Sequence, residues 1–302
     1  MKIENLSGEN AVSLTQVVII SGKGGTGKTT LTAAFTKLAH EMIVADCDVD
    51  AADLHIVLKP EISNSFQYQG GRKAVIDLEK CTQCGLCEEY CRFNAIFNFR
   101  IDTITCEGCG FCYHICPENA IDMRKVISGY YHICNFPGGD FVYAALEPGE
   151  GNSGKLVSEV KRQANNIAED KGKKWFLVDG PPGIGCPVNA SLSQTDFIII
   201  ITEPTVSGLH DLQRVVELIQ RFNIPSAVVV NKYDLNHAMT HSIEEYSTES
   251  EIKIAGKIPF DETVERALIV GRNIMEFGDS PAAIEIFNIW ENIKRLIKPQ
   301  YT

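Results

Sequence analysis

Residues 21–30 read S-G-K-G-G-T-G-K-T-T, and no other stretch restricts the fold of this chain as strongly. Gly22, Gly27, Lys28 and Thr29 fit the spacing G-x-x-x-x-G-K-[ST], a loop that works only between a strand and a helix. Both flanks are present, with an apolar run at 17–20 before it and a helical run at 31–39 after it. In that setting Gly22, Gly24, Gly25 and Gly27 let the backbone curl, so that N–H groups from Thr26 to Thr30 and the helix start face phosphate. Lys28 would then reach the β- and γ-phosphates, and Thr29 would ligate magnesium.

Lys23 adds a second lysine inside the loop. With it, K-G-G-T-G-K-T resembles the deviant Walker A motif of the MinD, ParA, Mrp and nitrogenase-iron-protein superfamily of ATPases. The resemblance implies ATP and Mg2+ as ligands. It also implies a nucleotide-sandwich dimer, with a second copy or with a related ATPase, in which Lys23 reaches the partner's ATP. A solvated loop charge is the plainer reading of Lys23.

The apolar run 42–45 ends in D-C-D-V-D at 46–50. Carboxylates at the carboxyl end of a strand beside a phosphate loop lie where open α/β sheets handle magnesium and water. The resemblance puts Asp48 in switch I, next to the attacking water and near magnesium, with Asp46 and Asp50 as neighbours; helix capping is the structural alternative. The run 175–178 closes on D-G-P-P-G, a Walker B and switch II arrangement in which Asp179 would hold magnesium through water. After the strand at 227–230, the resemblance assigns Asn231 to the adenine, with Lys232 beside it, and likens G-K-I-P-F at 256–260, with Pro259, to the loop that packs on the base. An ordinary turn residue is the alternative for Asn231.

Between roughly residues 60 and 136 the alternation of strand and helix stops and an internal repeat begins. C-x2-C-x2-C-x3-C occurs at Cys81, Cys84, Cys87 and Cys91, and again 25 residues later at Cys106, Cys109, Cys112 and Cys116, with 8 of 16 aligned positions identical. This resembles the bacterial two-cluster ferredoxins, in which the fourth cysteine of each run ligates the other cluster. Carried over, Cys81, Cys84, Cys87 and Cys116 hold one 4Fe-4S cluster, and Cys91, Cys106, Cys109 and Cys112 the other. Zinc is the competing reading of the C-x2-C pairs, but it does not account for duplicated triplets each with a trailing fourth cysteine. Arg92 departs from the pattern, since a proline follows the equivalent Cys116 as Pro117.

The expected fold is therefore α/β: a doubly wound, mostly parallel sheet from residues 1–58 and 137–302, carrying an inserted small α+β ferredoxin-like domain at 59–136. Eleven cysteines without a recognisable export signal fit metal or redox chemistry in a reducing, cytoplasmic setting. A net charge of -11 argues against a nucleic-acid partner. The stripe Ile286, Ile289, Trp290, Ile293, Leu296 and Ile297 near the end reads as a packed outer helix, and its few basic residues (Lys294, Arg295, Lys298) make a membrane anchor the weaker reading.

Cys186 follows Asp179 at the spacing of a cluster cysteine in the nitrogenase iron protein, which leaves two readings: a small buried residue, or a partner or redox contact. The segment 147–152 resembles the loop that supplies that protein's other cluster cysteine, but Asn152 stands in the cysteine's place. Cys47 and Cys134 read as structural. The function expected is an ATPase that couples nucleotide-driven dimer closure to electron transfer through two 4Fe-4S clusters toward a redox partner protein. The alternative is an ATP-dependent iron-sulfur carrier or cofactor-assembly factor.

Overall fold

The computed structural model describes residues 14–151 and 153–297. Strand β1 (Thr15–Ser21) leads into helix α1 (Lys28–Phe35), and β2 (Met42–Asp46) into the short α2 (Leu54–Leu58). The middle of the chain forms β3 (Glu61–Tyr68), β4 (Gly71–Ile76), α3 (Leu86–Glu89), β5 (Ile96–Phe97), β6 (Arg100–Ile101), α4 (Phe111–Ile115), β7 (Ile121–Val126) and β8 (Gly129–Phe136). Regular alternation then resumes with β9 (Gly139–Leu146), α5 (Ser153–Asp170), β10 (Trp175–Pro182), α6 (Cys186–Ser191), β11 (Phe197–Thr202) and α7 (Val206–Gln220). It ends with β12 (Ser226–Asn231), α8 (His237–Glu249), β13 (Lys253–Ile258), α9 (Glu262–Ile269) and α10 (Pro281–Ile297).

Nine strands make one sheet in the order β13-β12-β11-β1-β10-β2-β9-β8-β3. From β13 to β9 every neighbouring pair is parallel, and the inner strands β1, β2, β10, β11 and β12 carry buried apolar runs because helices cover both faces. Successive residues feed opposite cores. Val17 and Ile19 of β1 pack with Phe35 of α1 and Trp290 of α10, whereas Val18 and Ile20 pack with Leu156 and Val160 of α5 and Val215 of α7. The apolar stripe expected near the end of the chain lies on α10 and faces the first of these cores, with the Trp290 ring 4.9 Å from both Phe35 and Trp175. Lys298 lies outside the described residues. Among those described, no helix is long and apolar enough to cross a membrane.

The segment expected to be an insert, 59–136, divides differently in the structure. Its outer parts, β3 and β8, pair antiparallel with each other, and β8 pairs antiparallel with β9, so both extend the main sheet. What stands apart is the stretch between them. There β4 and β7 form an antiparallel pair, β5 and β6 a second, and α3 and α4 pack on a separate small core of Ala74, Ala95, Ile96 and Ile121 with Cys87 and Cys106. All the parallel strands point their carboxyl ends the same way, and the loops that leave β1, β2, β10, β11 and β12 meet there.

Candidate nucleotide and cysteine sites

The loop between β1 and α1 is built for close approach. Gly27 caps α1 at φ 97°, a conformation that L side chains rarely adopt, and a Cβ there would come 2.6 Å from Asn231 Nδ2. Asn231 donates that amide to Thr26 O at 2.8 Å, and Ser21 Oγ donates to Lys23 O at 2.6 Å, so the loop is pinned at both ends. Gly24 and Gly25 are exposed, Thr29 and Thr30 half-buried, and Lys28 buried. Thr26 Oγ1 is buried and has no partner within the described residues, an unsatisfied hydroxyl beneath the phosphate loop.

Beside the loop the two strand-end aspartates converge. Asp46, at the end of β2, accepts from the backbone N–H of Asp48 at 3.1 Å and of Leu54 at 3.2 Å. Asp179, on β10, accepts from Thr32 Oγ1 at 2.9 Å, and its other oxygen is buried with no partner. Burial drives the Asp179 carboxyl up to about 7 against the pull of Lys28, Thr29 and Thr32; burial and the neighbouring Asp179 also raise Asp46. Oxygens of Asp46, Asp53 and Asp179 lie within 4.8 Å of one another. Three carboxylates at that spacing, one with an orphaned oxygen, are the hard oxygen donor set that a divalent cation such as Mg2+ takes. Asp53 escaped the reading of the sequence, where it stands as one more acidic residue ahead of α2.

Asp48 is half-buried at the same edge, and its carboxyl is raised by burial while Lys28 opposes the rise. It caps none of the described helices, since α2 starts after Asp53. The second lysine, Lys23, turns toward its own chain: Nζ is 3.2 Å from Ser207 Oγ and 3.7 Å from Glu203. Glu203 also pairs with Lys232 Nζ at 2.7 Å, so one carboxylate holds both lysines. Beyond β12, Phe260 N–H donates to Asp234 Oδ1 at 2.7 Å, tying the loop with Pro259 to the one that follows Asn231. Cys186 is exposed at the start of α6, contrary to the buried reading, whereas Cys47 and Cys134 are fully buried and burial raises their thiols.

The cysteine repeat is also a repeat in three dimensions. Gly85 and Gly110 cap α3 and α4 at φ 79° and 76°, and Asn94 and Asn119 both take left-handed backbone at φ 50° and 49°. In each half the backbone N–H of the residue after that asparagine, Ala95 or Ala120, donates to the fourth cysteine's sulfur, Cys91 or Cys116, at 3.3 Å. The chain crosses over between halves. Cys91 lines a cavity of about 440 Å3 with Cys106, Cys109 and Cys112, whereas Cys116 lines a separate, tighter one with Cys81, Cys84 and Cys87.

Comparison with known proteins agrees with the nucleotide half of this geometry. The CobQ/CobB/MinD/ParA nucleotide binding domain model matches residues 17–274. An uncharacterized protein of Methanocaldococcus jannaschii is 32% identical over 286 residues, covering 93% of this chain and 97% of the relative. An iron-sulfur cluster carrier protein of Pyrococcus abyssi is 26% identical over 159 residues, which span 48% of this chain and 53% of that protein. Among solved structures, the MinD cell division protein of Aquifex aeolicus shares the fold at TM-score 0.56 and 19% identity, covering 93% of this chain and 96% of that one. A phosphate loop between β1 and α1, acidic residues at the ends of β2 and β10, and a family match over most of the chain place this protein in the CobQ/CobB/MinD/ParA nucleotide-binding family, as an ATP-binding P-loop ATPase.

Proposed function

We propose that this ATPase carries two 4Fe-4S clusters and couples ATP-driven closure of a dimer to electron transfer through them to a redox partner protein. The observation that carries the reading is the partition of eight cysteines into two cavities, each lined by three cysteines of one repeat and the fourth of the other. Soft thiolates in that arrangement suit iron-sulfur clusters, and the N–H···S bonds to Cys91 and Cys116 stabilise thiolate charge. When bound, each cluster supplies a one-electron couple. The chain's own residues do the rest. Lys28 and the loop N–H groups neutralise the phosphates. Thr29, Asp48 and Asp179, joined by Asp46 and Asp53, hold magnesium and orient water. Asn231, Lys232 and Pro259 border the base. In the closed dimer Lys23 exchanges Glu203 for the partner's nucleotide, releasing an internal ion pair only when ATP is present.

A test is to reduce the anaerobic protein and follow how fast it passes electrons to an oxidised viologen. MgATP should change that rate in the wild type and leave it unaltered in Lys28→Ala; equal rates with and without MgATP in the wild type would refute the coupling. The likeness over half the chain to an iron-sulfur cluster carrier favours a second reading, in which clusters are delivered. Each cavity here draws all four cysteines from one chain, as suits retention; iron moving to an apo-ferredoxin on ATP addition would select delivery.

A further inference from the structure

Resting on the two-cluster reading above, we propose that the buried Lys73–Glu150 ion pair transmits nucleotide state to the cluster of Cys91, Cys106, Cys109 and Cys112, and to that one alone. Lys73 sits on β4 at 5% exposure, donating Nζ to Cys106 O at 2.7 Å and pairing with Glu150 Oε1 at 2.9 Å. A buried ammonium needs its counter-charge, so Lys73 depends on where Glu150 stands. Glu150 belongs to the main body, on the segment between β9 and α5.

Residues on either side of Glu150 touch the neighbourhood of the nucleotide site. At one end, Leu146 N–H donates to Val49 O at 3.1 Å, and Val49 directly follows Asp48. At the other, Gly154 in the first turn of α5 packs so closely on Cys186 that a Cβ would lie 3.3 Å from its backbone. Cys186 opens α6, directly after the loop from Asp179. In between, Gly149 lies against Ile104, two residues before Cys106, where a Cβ would lie 3.2 Å from Ile104 O. In the proposed coupling, a nucleotide-dependent shift at Val49 reaches Glu150 through Leu146 and changes its distance from Lys73. Withdrawal of the carboxylate leaves more positive charge beside Cys106 and favours the reduced, more negative cluster; closer approach does the reverse. None of Lys73, Cys106 and Glu150 lines the other cavity.

Glu150→Gln removes the counter-charge with little change of volume. The experiment is an anaerobic potentiometric titration of the cluster-loaded protein, read by EPR, with and without MgATP. Cys84→Ser and Cys109→Ser assign the two one-electron waves. In the wild type, MgATP should change the reduction equilibrium of the Cys109 wave at least threefold and leave the Cys84 wave in place. Without nucleotide, Glu150→Gln should favour reduction of the Cys109 wave about tenfold, 59 mV for one electron, and abolish its response to MgATP. Lys73→Met, checked first for iron content, should lose the response too. By linkage, wild-type MgATP affinity should differ between oxidised and reduced protein by the same factor as the shift. The inference is overturned if MgATP moves neither wave, if both waves move together, or if Glu150→Gln responds like the wild type. Iron analysis before the titration separates these outcomes from failure of the two-cluster reading, which would remove the inference with it.

Discussion

Asp179→Asn is expected to stabilise the metal-free chain at neutral pH while abolishing magnesium-dependent hydrolysis. Asp179 is fully buried, and burial outweighs Lys28, Thr29 and Thr32 to lift its carboxyl from 3.8 to about 7. Between those two values the folded chain holds a proton that the unfolded chain has lost. Stability therefore falls as pH rises through that window, by at most about 1.4 kcal/mol per pH unit and about 4 kcal/mol in all, an upper figure because Asp46 shares the titration. Asn can still accept from Thr32 at the Oδ1 position, and its amide can donate toward Asp46 and Asp53, where Asp179 presents an orphaned oxygen. At pH 8 the variant should be about 2–4 kcal/mol more stable than the wild type, with less than half its slope between pH 4 and 7. Urea unfolding read by tryptophan fluorescence reports this directly, because the Trp175 and Trp290 rings meet at 4.9 Å in a tilted pair within the main-sheet core, which is separate from the core of the cysteine unit. Millimolar Mg2+ should stabilise the wild type and not the variant. A variant less stable than the wild type at pH 8, with the same pH slope, would refute this account of the acidic cluster.

Three further substitutions probe other parts of the structure. Gly27→Ala forces a side chain into left-handed backbone and against Asn231, so it should cost about 1–3 kcal/mol and abolish ATP binding by calorimetry. Trp290→Ala empties the space between α10, Phe35 and Trp175 and should cost about 3–5 kcal/mol in urea unfolding, with cluster iron content unchanged. Cys186→Ser changes an exposed residue that lines neither cysteine cavity, so iron content should stay constant and stability stay within about 0.5 kcal/mol. Loss of half the iron would move Cys186 into a ligand set.

What the sequence made legible follows from local physics. The core strands are buried on both faces and so are written as unbroken apolar runs, and the phosphate loop, Asp46 and Asp179 stand where those runs stop. The cysteine repeat carries its own register, down to the matched left-handed Asn94 and Asn119. β3 was not legible as part of the main sheet, because seven of its eight residues are exposed and no hydrophobic period marks them; its place comes from pairing with β8. For that reason the part that stands apart is narrower than the 59–136 read from the sequence. Asp53 and the Lys73–Glu150 pair were invisible for another: Asp179, which completes the cluster of Asp46 and Asp53, and Glu150, the partner of Lys73, lie far away along the chain, and a lysine in a polar strand reads as solvated until the fold buries it. Cys186 carried a motif spacing but no environment, and its exposure came only with the start of α6.

Replacing Cys116 by Ser tests most directly whether two clusters are held by cysteines that cross between the repeats. Anaerobically reconstituted wild type should hold about eight iron and about eight acid-labile sulfide per chain. Cys116→Ser should disturb the EPR signal of the cluster shared with Cys81, Cys84 and Cys87, and leave that of Cys91, Cys106, Cys109 and Cys112 as in the wild type. Zinc in place of iron, or a Cys116→Ser signal change confined to the cluster of Cys106, Cys109 and Cys112, would contradict the account.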